Sequence, residues 1–99
     1  MAAVLELPPL HERADTPIMR RMLLEIAKCS QSLIEVRLPR LTRKMAESDS
    51  EINKLVHTAE ICGWASLKIN SVGSVLNVSL TDSGWDMVGG KPEWMKGYS

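Results

Sequence analysis

One stretch of this chain, Ser48 to Gly63 (SDSEINKLVHTAEICG), limits the possible folds most strongly because it specifies the start, buried face and end of a helix. Ser48 and Glu51 have the spacing of a capping box, in which the serine hydroxyl accepts a hydrogen bond from the Glu51 backbone N–H and the glutamate carboxylate accepts one from the serine N–H. Gly63 supplies the left-handed conformation that commonly ends a helix. The apolar residues between these ends recur at helical spacing and predict one buried stripe, made of Ile52, Leu55, Val56, Ala59 and Cys62.

The opposite face of this predicted helix carries mostly hydrogen-bonding and charged groups. Such a face suits a helix that reads a binding partner. However, an ordinary solvated face is what most amphipathic helices show, and the helix alone favours that interpretation. The face consists of Ser50, Asn53, Lys54, His57, Thr58 and Ile61.

The composition limits the classes of partner. A chain of 99 residues forms one domain, and a hydrophobic content of 44% is enough for a modest core. Twelve Lys and Arg residues balance twelve Asp and Glu residues. This balance argues against non-specific coating of nucleic acids or membranes but leaves specific binding open. We see neither an apolar run near the roughly 20 residues of a membrane span nor a signal peptide, and we therefore expect a cytoplasmic protein.

The sequence shows no pattern of metal ligands or catalytic groups. His11 and His57 are far apart, and no CxxC spacing occurs, so we expect neither a metal nor a cofactor. Cys29 and Cys62 lie on the apolar sides of predicted helices and are interpreted as reduced core residues. The five-residue spacing of His57 and Cys62 puts them on different faces of one helix. Since a Gly-rich phosphate loop is also missing, we do not expect an enzyme.

The two ends of the chain, residues 1–15 and 91–99, are predicted to lie outside the main domain, residues 16–90. Pro8-Pro9 interrupts regular structure, so the first segment is predicted to be an extended arm. Apolar side chains in both segments are costly to expose, which predicts a homodimer with the arm or the tail in its interface. Packing of these segments on their own domain is the open alternative. The interface candidates are Val4, Leu5, Leu7, Leu10, Trp94 and Tyr98.

Thr16-Pro17 predicts the start of the first helix of the main domain, with threonine as the N-cap and proline at the first helical position. The helix is expected to end near residues 29–31. Its buried stripe is predicted to consist of Ile18, Met19, Met22, Leu23, Ile26 and Ala27.

A short strand and a second helix are predicted to follow. Residues 32–38 (SLIEVRL) alternate between apolar and charged side chains, which predicts a strand with Ile34, Val36 and Leu38 buried. Pro39 then opens the helix PRLTRKMAE, whose inward residues are predicted to be Leu38, Leu41, Thr42 and Met45.

This region also contains a concentrated run of cations. Four basic residues fall within eight positions, with no acidic residue among them before Glu47. Charge runs are usually solvated faces, but a run of a single sign directly before the capped helix makes an anionic partner an equal alternative. The four residues are Arg37, Arg40, Arg43 and Lys44.

The pattern then changes to that of a β-hairpin. Two alternating runs, residues 64–70 (WASLKIN) and 75–80 (VLNVSL), flank a turn at residues 71–74 that contains Gly73. The inward residues of the hairpin are predicted to be Leu67, Ile69, Leu76, Val78 and Leu80.

The main domain is predicted to close with a short helical turn. Thr81 is placed to cap the segment DSGWDMV, and Gly89-Gly90 ends it. Trp85 and Val88 within this segment are expected to close the core.

The order of elements resembles a winged helix-turn-helix domain of the α+β class: helix, strand, helix, capped helix, β-hairpin and closing helical turn. The segment Leu80-Thr81-Asp82-Ser83-Gly84, followed by Trp85, is similar to the LTxxG segment that closes the wing in MarR-like and related bacterial regulators. The resemblance covers residues 16–90. It implies that residues 49–62 form the recognition helix and residues 71–74 the tip of the wing.

The same resemblance implies a small sequence-specific DNA-binding protein, a transcriptional regulator that acts as a dimer. In such a protein, Ser50, Asn53, Lys54 and His57 would contact bases. Phosphates would be held by Arg37, Arg40, Arg43, Lys44, Ser71 and Ser74.

The alternative is a winged-helix protein–protein interaction module in a larger complex, for example a phage-encoded one, without DNA binding. The wing tip has no arginine, and Glu51 and Glu60 on the predicted recognition helix repel phosphate. Both features suit the alternative.

Overall fold

The computed structural model describes residues 9–30 and 35–93. This part of the chain contains helices α1 (Leu10–Ala14), α2 (Pro17–Cys29), α3 (Leu38–Met45), α4 (Asp49–Ile61) and α5 (Asp82–Met87). The strands are β1 (Val36–Arg37), β2 (Ala65–Ile69) and β3 (Val75–Leu80). Within the described residues, every helix is too short or too polar to cross a lipid bilayer.

Helix α2 begins as the sequence predicts. The Thr16 hydroxyl accepts a hydrogen bond from the Met19 backbone N–H at 3.2 Å, and Pro17 occupies the first helical position. The predicted stripe is buried except at its edges, where Ile18 and Ala27 are half-buried. Because the stripe faces the interior along the whole helix, α2 packs against α3, α4, α5 and β3 and forms the centre of the core.

Helix α4 also follows its prediction. The Ser48 hydroxyl accepts a hydrogen bond from the Glu51 backbone N–H at 3.2 Å, and Gly63 beyond the helix has a φ of +81°. Four of the five predicted stripe residues are buried, and Cys62 is only half-buried. Cys62 is the C-cap that follows Ile61, the last residue of α4, so it lies at the end of the stripe.

A three-residue turn, Ala46–Ser48, connects α3 to α4. Ala46 has a φ of 56° in the left-handed region, which costs a residue with a Cβ about 1–2 kcal/mol. The Arg21 guanidinium donates a hydrogen bond to the Met45 carbonyl at 3.2 Å and so satisfies an orphan acceptor at the end of α3. The predicted second helix starts one residue earlier than expected and ends at Met45. Thr42, which was predicted to face inward, is half-buried.

The three strands form an antiparallel sheet in the order β1-β3-β2. Of the strand predicted at residues 32–38, the structure describes residues 35–38, and among these Val36 and Arg37 pair with β3, so the strand ends one residue earlier than expected. Leu38 is half-buried and begins α3, because Pro39 cannot donate to a ladder and its fixed φ suits the first turn of a helix. The predicted inward residue Ile34 lies outside the described residues.

The hairpin contains a β-bulge that the alternating pattern did not predict. Lys68 pairs with Asn77 but Ile69 pairs with Val75, so Leu76 is the extra residue of β3. Strict alternation fails there. Ile69 and Leu76, both predicted to be inward, are each 45% exposed, whereas Val75 is buried.

The N-terminal segment is not extended where the structure describes it. Leu10–Ala14 form the short helix α1, in which Pro9 accepts backbone hydrogen bonds from Glu12 and Arg13. Pro9 does not prevent a helix because a proline is tolerated at a helix start, where its missing N–H is not needed. Ala14 packs in the core, which ties this segment to its own domain.

The segment Leu80–Trp85 closes the domain through the hydroxyl of Thr81 and the lack of a side chain at Gly84. The Thr81 hydroxyl accepts from the Gly84 backbone N–H at 3.1 Å and donates to the Gly63 carbonyl. A Cβ added to Gly84 would lie 1.9 Å from the Trp64 carbonyl oxygen. Threonine and glycine are therefore both needed for α5 to reach the start of β2, and Trp85 is buried as predicted.

Candidate nucleic-acid interface

The outward face of α4 presents polar side chains to solvent. Ser50, Lys54 and His57 are exposed. Asn53 is half-buried, and its amide nitrogen donates to the Asp49 carbonyl at 2.9 Å. A base contact by Asn53 would use its second N–H or its oxygen, since one donor is already engaged.

The basic run is exposed and has no acidic partners. Arg37, Arg40, Arg43 and Lys44 lie on the surface, and within the described residues none has a carboxylate within ion-pair distance. Three cations elsewhere do form ion pairs: Arg20 with Asp15 at 2.6 Å, Lys28 with Glu25 at 3.7 Å, and Lys91 with Asp82 at 2.6 Å. The four cations of the run thus form a positive surface that an anion can reach without displacing a carboxylate.

Part of this positive surface is concave. A cavity of about 600 Å³ separates α3 from the first half of β3. A second hollow of about 400 Å³ lies beside it and is lined by Arg40, Arg43 and Lys44. The lining residues of the first cavity are Arg37, Pro39, Arg40, Arg43, Val75, Leu76 and Asn77.

Three residues that sequence reasoning missed belong to this surface. Asn77 pairs with Arg37 on one side and Lys68 on the other, so the three lie in one row across the sheet. Leu76 reaches the cavity because the bulge turns it away from the core. The pairing of β1 with β3 brings Lys68 and Asn77 beside the arginines.

The wing tip is a hydrogen-bonded turn and carries no cation. The Asn70 side-chain oxygen accepts from the backbone N–H groups of Val72 and Ser74 at 3.0 and 2.9 Å, and Gly73 has a φ of +86°. Ser71 and Ser74 are exposed, as phosphate contacts would have to be. Val72 is 81% exposed, so the tip is partly apolar.

The predicted dimer interface falls mostly outside the described residues. Leu10 is 36% exposed on α1. The other five candidates, Val4, Leu5, Leu7, Trp94 and Tyr98, lie in the segments that the structure does not describe.

The thiols and acids add little to the chemistry of this surface. Cys29 and Cys62 are both free, and partial burial raises the pKa of the Cys62 thiol. Among the described residues, no three His, Cys, Asp or Glu side chains come together as metal ligands would. Asp49 and Glu51 lie in the first turn of α4, where they complement the helix dipole.

Comparison with solved structures identifies the fold. The YusO protein from Bacillus subtilis superposes with a TM-score of 0.62 at 19% identity over 79% of this chain. A mutant MarR from E. coli, complexed with operator DNA, gives 0.61 at 16% over 79%. A mutant MepR from S. aureus, bound to an oligodeoxyribonucleotide, gives 0.62 at 15% over 80%. The chain therefore has the winged helix-turn-helix fold of MarR-type proteins.

The similarity is structural and partial. The matched regions cover 54%, 54% and 62% of YusO, MarR and MepR, respectively. No protein-family profile matches the chain, and no curated protein matches it by sequence.

Proposed function

We propose that this protein is a sequence-specific DNA-binding transcriptional regulator, acting in the cytoplasm without catalysis, that places α4 in the major groove. The main supporting observation is the unpaired positive surface of Arg37, Arg40, Arg43 and Lys44 on a winged helix-turn-helix fold. Two of the structures with this fold, MarR and MepR, are bound to DNA.

The positive surface and the outward face of α4 would have different roles in DNA binding. Unpaired cations fit phosphates, which fix the position of a protein on the duplex but carry no sequence information. The exposed side chains of α4 can instead meet base edges: Lys54 can donate to guanine, and Asn53 can pair with adenine. Ser50 and His57 complete the proposed base contacts, and Ser71 and Ser74 the proposed phosphate contacts.

We further propose that the protein acts as a homodimer. A chain with no net charge and few phosphate contacts binds DNA weakly at physiological salt, so two copies on adjacent half-sites are needed for useful affinity. Light scattering should give twice the monomer mass. A monomer at high protein concentration would contradict this proposal.

The test of DNA binding separates the two surfaces. A binding site is selected from random duplexes, and affinities are measured from low to physiological salt. Arg40→Ala should weaken binding to all sequences and reduce the slope of log K against log salt by about 0.9, because it removes one phosphate contact. Lys54→Ala should cost about 1–3 kcal/mol on the selected site and little on random DNA.

Lys28→Ala is the matched control, because it removes a positive charge that lies beside α5 rather than on the proposed surface. It should change neither the slope of log K against log salt nor the preference for the selected site over random DNA. If the wild type enriches no sequence and shows no salt-sensitive binding at low ionic strength, the proposed function is wrong.

The second candidate function is that of a protein-interaction module, and the exposed apolar residues favour it. Val72 at the wing tip is 81% exposed and Ile61 at the end of α4 is 71% exposed. Two results together would support this candidate: the chain binds no DNA, and both positions crosslink to a second protein from the host lysate.

A further inference from the structure

The cavity between α3 and β3 combines positive charge with an apolar wall. Leu76 would face the core in a regular strand, but the bulge leaves it 45% exposed at the cavity. Bulges commonly re-aim a side chain next to a functional site. Pro39, from the first turn of α3, supplies a second apolar surface.

The charged part of the cavity comes from three arginines and is not neutralised. Arg37, Arg40 and Arg43 all contribute to the lining, which contains no carboxylate. The first turn of α3 contains no acidic residue, so the positive end of this helix adds to the same potential. Guanidinium groups bind phosphate through two parallel hydrogen bonds, a geometry that lysine cannot provide.

We propose that this cavity is a binding site for a sugar phosphate ester, with the phosphate held by Arg37, Arg40 and Arg43 and the sugar carbons packed against Leu76 and Pro39. A volume of about 600 Å³ is sufficient for one such group. Two sources share this chemistry: a nucleotide of the DNA backbone, and a free nucleotide or sugar phosphate. Only the first source rests on the proposed function.

One acidic residue lies at the edge of the site. The Asn77 amide nitrogen donates to a Glu35 carboxylate oxygen at 2.9 Å, so a negative charge lies one side chain away from the lining. This carboxylate orients Asn77 and disfavours a second anion. Glu35→Gln keeps an acceptor for Asn77 and removes the charge, and it should therefore tighten binding of the phosphate ester.

The experiment compares deoxyribose 5-phosphate with inorganic phosphate by NMR titration of the full chain. The ester should shift backbone signals of residues 37–43 and 75–77. Arg40→Ala should weaken both ligands about tenfold, because it removes a charge-assisted hydrogen bond. Leu76→Ala should weaken the ester about fivefold, since part of a buried apolar contact is lost, and leave inorganic phosphate unchanged.

Val72→Ala is the matched control, because it truncates an exposed apolar residue of the same wing outside the cavity. It should bind both ligands like the wild type. If Leu76→Ala and Val72→Ala behave alike, or the ester binds no better than inorganic phosphate, the proposed site is wrong. Thermal melting of each variant verifies that it is folded.

Duplex DNA distinguishes this inference from the proposed function. Leu76→Ala should weaken duplex binding without changing the salt slope, because an uncharged side chain releases no counterions. If the duplex binds normally to Leu76→Ala and the ester shifts no signals, the site is wrong and the function stands. If the ester binds but duplex DNA does not, the DNA proposal is wrong and the site serves a free phosphate ester.

Discussion

The two ends of strand β3 differ in how their polar groups are satisfied. At the C-terminal end, Thr81 bonds to both Gly63 and Gly84, and the peptide groups of Trp64 and Thr81 are hydrogen-bonded. At the N-terminal end, the strand is bulged at Leu76 and faces arginines that have no acidic partner among residues 9–30 and 35–93.

This difference separates stability from binding along one strand. The hydrogen bonds of Thr81 hold α5 on the sheet, and the groups that make them are not free to bind a ligand. Unpaired surface cations contribute little to stability and remain available for an anion. Changes at the closing end should therefore unfold the protein, whereas changes at the bulged end should alter binding alone.

The largest expected effect is at the closing end. Gly84→Ala places a Cβ 1.9 Å from the Trp64 carbonyl oxygen, so the backbone of α5 or β2 must move. We expect a loss of about 3 kcal/mol in the free energy of unfolding, at the upper end of overpacking costs. Urea denaturation measures this loss. Ser83→Ala, at an exposed neighbouring position of α5, should cost far less, and equal losses would show that α5 is not held by close approach.

The next comparison sets an unpaired arginine against a paired one. Arg43→Ala should lower DNA affinity about tenfold and change the free energy of unfolding by less than about 0.5 kcal/mol. Arg20→Ala should instead lower the free energy of unfolding and leave DNA affinity unchanged. Arg20 binds Asp15 and the Met87 carbonyl and so joins α2 to α5. Fluorescence anisotropy of labelled DNA measures the affinity of both variants, and thermal melting measures their stability. A loss of stability in Arg43→Ala would contradict the separation of roles.

A smaller and favourable effect is expected at the turn before α4. Ala46→Gly removes a Cβ from a left-handed residue and should raise the free energy of unfolding by about 0.5–1 kcal/mol. Ala27→Gly, inside α2, is the control and should lower it by about 1 kcal/mol. Denaturation midpoints of the two variants should therefore move in opposite directions. DNA affinity should be unchanged in Ala46→Gly if the turn merely connects the helices.

The smallest effect concerns pH. The hydrogen bond from Arg20, together with its charge, lowers the pKa of Asp15 below the ordinary value of 3.8. The ionised carboxylate is thus favoured in the folded protein, so its contribution is complete above pH 3.8 and is lost as the pH falls through the lowered pKa. The melting temperature of Asp15→Asn should fall less between pH 5 and pH 2 than that of the wild type, in matched scans. Parallel curves would show that the pair adds no stability.

The sequence by itself determined where three helices begin. Thr16, Ser48 and Thr81 cap their helices as predicted, since each cap is a hydrogen bond to a backbone N–H three residues later. The buried stripes of α2 and α4 were predictable for a similar reason: the helical period alone places their apolar residues on one face. The order of these local elements was enough to indicate the winged helix-turn-helix fold.

The tertiary structure decided the contents of the cavity. The bulge at Leu76 depends on how β3 pairs with β2, and alternation along one strand does not specify cross-strand register. Asn77 meets Arg37 only because β1 adds to the free edge of β3. The sequence supplied the cations, but their arrangement around Leu76 and Asn77 depends on contacts between residues far apart in the chain, which local hydrogen bonds and periodicity do not encode.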